Sequence, residues 1–213
     1  MLYICGIADL MRMPEGFMQN AKSELRKAAL ARRKAVPADV RQAFAERLAI
    51  EGVKIARRAI VKNVAVFLPI GSEPDTRLLL AALDYHQFNT LLPVTQEPGV
   101  PLVFRRWREG QLLIEGPMGL REPSVRLPES VPDLTFVPLA AFDRRGYRIG
   151  YGGGHYDATL AALRMSHPGP AIGIAFSVQE IERVPEEGHD QPLDFVFTET
   201  AMIDCSLAWQ APS

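Results

Sequence analysis

The 213-residue sequence predicts an α/β fold, a three-layer α/β/α sandwich built on a largely parallel sheet. Three observations carry that expectation. Short unbroken apolar runs, among them 64–68, 134–141 and 171–176, read as strands covered on both faces. Patterns with helical spacing lie between these runs. A glycine-rich turn, Gly150 to Gly154, joins one of the strands to a helix.

Taken in order, residues 20–36 read as a helix rich in Ala, Leu, Lys and Arg, all strong helix formers. Lys22 and Arg26 stand one turn apart and share a face, so an anion between them would relieve their repulsion. A solvated basic face fits the same spacing. Pro37 suits the first turn of a second helix with Phe44, Leu48 and Val53 inward. The run Val64 to Leu68 then ends in a turn cluster, 70–76, which places Glu73 just past a strand's carboxyl end. In open α/β sheets that is where ligand crevices form. Asp75 or Thr76 is expected to cap a helix over 77–85. Strands are expected at 90–94 and 102–105, followed by a Pro- and Gly-dense excursion over 110–132. After the central strand and glycine turn come a helix over 156–165 and strands at 171–176, 194–198 and 202–204.

Composition narrows the function. A net charge of −1 argues against a broad nucleic-acid-binding face. Cys5 and Cys205, at opposite ends of the chain, form neither a metal spacing nor a disulfide framework, so reduced thiols in a cytoplasmic protein are expected. No apolar run is long enough to cross a bilayer, and Met1 to Met13 makes a poor signal peptide. Residues 1–19 read as a poorly ordered extension ahead of one domain over 20–213, which is expected to be a monomer.

The chemistry concentrates in 142–157. Glycine lets backbone take φ > 0 and approach a ligand, and a following helix aims free N–H groups at an anion. Arg148 adds a guanidinium fork that matches phosphate oxygens, and Asp157 a hard carboxylate of the kind magnesium-nucleotide sites use. A tight turn holding an arginine ion pair would use the same residues, and no Walker Gly-Lys-Ser/Thr is present. The segment His189-Asp190 admits a metal pair, a catalytic pair or a plain turn, and spacing alone favours the turn.

Four separated pieces, in order, resemble the 5-formyltetrahydrofolate cyclo-ligase family: 22–26, 68–76, Gly119 with Glu122-Pro123, and 137–157. The resemblance implies a fold shared with some sugar-phosphate isomerases and CoA transferases. It implies ATP held by Lys22, Arg26, Arg148, Ile149, Gly150, Tyr151, Gly152, Gly153, Gly154, His155 and Tyr156. It places 5-formyltetrahydrofolate against Leu68, Glu73, Tyr151, Gly152, Gly153, Gly154 and His155, and Mg2+ at Asp157 and Asp190. Arg148 is the residue implied in catalysis. Two positions depart from the family pattern. His155-Tyr156 stands where two tyrosines are usual, and 100–104 lacks a methionine expected near the folate.

Overall fold

A computed structural model describes residues 15–205. Residues 1–14, with Cys5, and 206–213 lie outside the described residues. The chain runs α1 (Glu15–Lys34), α2 (Ala38–Arg58), β1 (Asn63–Ala65), α3 (Arg77–Tyr85), β2 (Asn89–Val94), β3 (Val103–Arg106), β4 (Leu113–Glu115) and β5 (Arg121–Pro123). It continues through β6 (Leu134–Pro138), β7 (Ala141–Phe142), β8 (Arg148–Ile149), α4 (His155–Ser166), β9 (Ala171–Ile174), β10 (Phe195–Phe197) and β11 (Met202–Asp204). The first helix starts at Glu15 rather than Asn20, so residues 15–19 join it instead of the expected extension.

Seven strands form one sheet in the spatial order β11-β10-β9-β6-β1-β2-β3. The five central strands pair in parallel. Both edges, β3 on β2 and β11 on β10, are antiparallel. Side chains of a strand alternate between faces, and the core divides accordingly. Val64, Phe136, Ile172, Ile174 and Phe197 meet α2 and α3 through Phe44, Leu48, Leu79 and Leu83. Val137, Ala171 and Val196 face the other way, onto Leu160 of α4. The sheet is thus mostly parallel, with helices on both sides.

The β7–β8 hairpin leaves the sheet directly after β6 and is covered by α1, whose Ala29 packs with Ala141, Ile149 and Val184. The excursion over 110–132 contains a small antiparallel pair, β4 with β5, that the Pro and Gly density did not disclose. Helix α3 occupies the range expected, but its capping is divided. Asp75 Oδ1 accepts the Arg77 N–H at 2.9 Å, while the Thr76 hydroxyl turns inward to the Phe67 carbonyl.

Candidate active site

Strand order locates the site. From β1 the chain adds β2 on one side, then returns to add β6 on the other, so the β1–β6 boundary is the switch point of the sheet. Loops leaving neighbouring strands diverge there and open a crevice at their carboxyl ends. The loop after β1 carries Glu73, and the segment after β6 leads through the hairpin into the glycine turn.

That turn has the backbone its sequence requires. Gly152 and Gly154 take φ of 102° and 66°, the left-handed region that side chains other than glycine rarely enter. Gly154 is also the N-cap of α4 and supplies no side-chain acceptor to the helix's first N–H groups. Free amides at a helix N-terminus favour anions. The turn is tethered from outside as well. Gly99 N–H donates to the Gly153 carbonyl at 2.9 Å, and His155 Nδ1 lies 3.2 Å from the Val100 carbonyl.

Arg148 lies beneath the helix start and is 8% exposed. One guanidinium nitrogen donates to Asp157 Oδ1 at 2.9 Å and another to the Gln191 carbonyl at 2.5 Å. Burial pushes its pKa down and Asp157 opposes that push. The guanidinium keeps its proton regardless. Asp157 Oδ1 also accepts the Gln191 N–H at 3.0 Å, so this carboxylate holds the arginine and the 187–191 segment together.

Helix α1 presents Lys22 and Arg26 to the same region. Arg26 Nε donates to the Gly150 carbonyl at 2.7 Å. Lys22 Nζ lies 2.7 Å from both Glu187 Oε2 and Asp190 Oδ2. Burial works against its charge, but the hydrogen bonds to Asp190 and Glu187 prevail and raise its pKa. Glu187, His189 and Asp190 offer ligand atoms within 4.8 Å of one another, an arrangement absent from the turn reading of His189-Asp190. Asp157 is not among them; it sits with Arg148.

On the opposite flank, Glu73 is 6% exposed. It accepts the Ile70 N–H at 2.8 Å and the hydroxyl of Tyr151 from the glycine turn. Burial pushes its pKa up, against the hydrogen bonds from Tyr151 and Ile70 and the charge of Arg33. The Tyr151 and Tyr156 phenols are pushed up too, chiefly by burial. Leu68 is half-buried at the edge of the main core beside this loop.

Three cationic side chains, Lys22, Arg26 and Arg148, thus lie beside a glycine turn that feeds a helix, with the buried acid Glu73 across it. A family model described as the 5-formyltetrahydrofolate cyclo-ligase family matches residues 18–199. The chain belongs to that family. It is 34% identical over 191 residues to a 5-formyltetrahydrofolate cyclo-ligase of Mycolicibacterium smegmatis, covering 84% of this chain and 93% of the relative. It is 30% identical over 172 residues to the Escherichia coli cyclo-ligase, covering 78% and 94%. The NMR structure of Aquifex aeolicus 5,10-methenyltetrahydrofolate synthetase superposes with a TM-score of 0.72 at 29% identity, covering 90% of this chain and 95% of that one.

Against this family frame, the structure gathers Lys22, Arg26, Arg148, Asp157 and Asp190 on one side of the glycine turn and Glu73 on the other. Ile149 differs from its neighbours in the turn. Its side chain is buried under the hairpin and its carbonyl accepts the Ala140 N–H at 2.8 Å, so it supports the turn from below. Glu187 was not singled out in the sequence; its three-residue spacing to Asp190 was the available signal. Arg33 continues the face of Lys22 and Arg26, and that spacing was the signal available for it.

Proposed function

We propose that this chain cyclises 5-formyltetrahydrofolate to 5,10-methenyltetrahydrofolate, using ATP and releasing ADP and phosphate. The observation that carries the reading is the buried Arg148, fixed by Asp157 under a glycine turn whose far side engages Glu73. The formamide is a weak electrophile, and ring closure must remove its oxygen. The formyl oxygen attacks the γ-phosphorus of ATP, ADP departs, and the oxygen becomes part of a phosphate leaving group. The neighbouring folate nitrogen then attacks the imidate carbon and loses its proton, and phosphate leaves.

Such a reaction asks the protein to align donor and acceptor and to neutralise phosphoryl charge, without a side-chain nucleophile. Arg148, Lys22 and Arg26 supply positive charge, and the backbone from Gly150 to Tyr156 supplies donors to phosphate oxygens. Leu68, Glu73 and the turn from Tyr151 to His155 form the folate side. Lys22 lies between the carboxylates of Glu187 and Asp190, and carboxylate oxygens of this kind suit Mg2+. Asp190, with Asp157 close to the phosphate path, would hold it. Bound there, Mg2+ supplies charge neutralisation on the phosphates. We further infer a monomeric cytoplasmic enzyme whose sheet is of the sugar-phosphate isomerase and CoA transferase type.

The test is stoichiometry. Purified protein given both substrates should form one ADP for each methenyl product. ADP released without methenyl product, or methenyl product without ADP, would contradict the reading.

A further inference from the structure

Arg33 has no part in the proposed reaction, yet its side chain reaches three segments that line the crevice. It is 4% exposed. Its Nε donates to Ser72 Oγ at 3.0 Å, and one terminal nitrogen donates to the Tyr151 hydroxyl at 2.6 Å and to the Leu139 carbonyl at 3.4 Å. The same nitrogen lies 3.9 Å from Glu73 Oε1. Its partners therefore come from three segments: the loop after β1, the exit of β6 and the glycine turn. Arg41 of α2 closes the cluster from behind, donating to the Ser72 carbonyl at 2.8 Å and to the Arg33 carbonyl.

Its place on α1 explains the arrangement. Lys22, Arg26, Ala29 and Arg33 recur at helical spacing and share one face. Ala29, fully buried, lets the helix sit close on the hairpin. Eleven residues of helix separate Lys22 from Arg33, about 16 Å, so one rigid element reaches both flanks of the crevice.

We infer that Arg33 is a positioning residue for the folate side, locking Glu73 and Tyr151 into one arrangement and tying it to the helix that carries Lys22 and Arg26. A planar fork with several fixed donors can serve three segments at once, whereas a lysine ammonium at the end of a flexible stem cannot reproduce that geometry. The inference rests on the cyclo-ligase reading for the identity of the ligand. The geometric coupling itself does not.

The experiment compares wild type with Arg33→Lys by amide hydrogen exchange without ligand and by steady-state kinetics, with melting temperature as a check on folding. Exchange should quicken in 70–76 and 150–154 together, and KM for 5-formyltetrahydrofolate should rise about tenfold, further than KM for ATP. Unchanged exchange in either segment overturns the inference, as does a KM for ATP that rises as far as that for the folate. If Arg33→Lys fails to fold, Ser72→Ala removes one partner and keeps the guanidinium; it should quicken exchange in 70–76, and no change there overturns the inference. A wild type that folds but forms no methenyl product contradicts the proposed function instead, and the exchange data then decide whether Arg33 couples the two segments.

Discussion

The Tyr151 hydroxyl donates a hydrogen bond to the Glu73 carboxylate, joining two residues 78 positions apart in the sequence. That bond spans the crevice at the sheet's switch point, from the loop after β1 to the glycine turn. It makes the proposed folate side of the site a product of two loops rather than one. Deleting the hydroxyl leaves a buried acceptor short of a partner, which costs about 1–3 kcal/mol. Tyr151→Phe is expected to lower kcat/KM for 5-formyltetrahydrofolate about tenfold with KM for ATP nearly unchanged. Steady-state kinetics with each substrate varied in turn checks the split.

Lys22→Met should show the opposite split. The ammonium that neutralises Glu187 and Asp190 disappears, leaving two carboxylates without it beside the proposed nucleotide site. KM for ATP is expected to rise about tenfold or more, with KM for the folate hardly moved. An equal rise in both would remove Lys22 from the nucleotide side.

Arg148→Ala acts on turnover. A preorganised donor aimed at developing phosphoryl charge is worth roughly 10²–10³ in kcat. The expected outcome is a loss of that order with folate affinity, measured directly by binding, within about threefold of wild type. Undiminished turnover would take Arg148 out of the transition state.

Glu73 gives a pH dependence with a definite sign. Burial raises its pKa in the folded chain above the ordinary 4.5. Stability from the protonated form is fully present below that ordinary value and is lost as pH rises through the folded value. Glu73→Gln, neutral throughout, should therefore gain stability relative to wild type as pH rises over that window. Denaturant unfolding of both proteins across the window checks it; a pH-independent difference contradicts it.

The core offers a separate check on the fold. Phe44 of α2, 1% exposed, packs edge-on against Phe176 with ring centroids 5.4 Å apart and against Phe197 at 5.7 Å. Phe44→Ala should destabilise by about 3–5 kcal/mol in denaturant unfolding. A loss below about 1 kcal/mol would mean that the rings do not form this cluster.

Much of this was readable before the structure, for physical reasons. Glycine at positions needing positive φ, and a strand-turn-helix order, mark 150–157 without any tertiary knowledge. Helix α3 was bounded at both ends because apolar spacing and turn residues agree there. The strand after Val64 was overextended. Only Asn63–Ala65 lies in the ladder, although Val66 N–H still bonds the Leu91 carbonyl, because the chain must turn away to form the Glu73 loop. The antiparallel edges were unreadable, since pairing direction depends on strands distant in sequence. Arg33 and Glu187 are illegible in the sequence for a related reason. A basic run on a helix and an acid in a turn look solvated until the fold brings Tyr151, Ser72 and Lys22 against them.

The most direct test of the account is absorbance of the methenyl chromophore in a mixture of protein, 5-formyltetrahydrofolate and Mg2+, with ATP present or omitted. The band should grow when ATP is present and stay flat when it is omitted. A flat trace with ATP, from folded protein that binds the folate, would contradict the account.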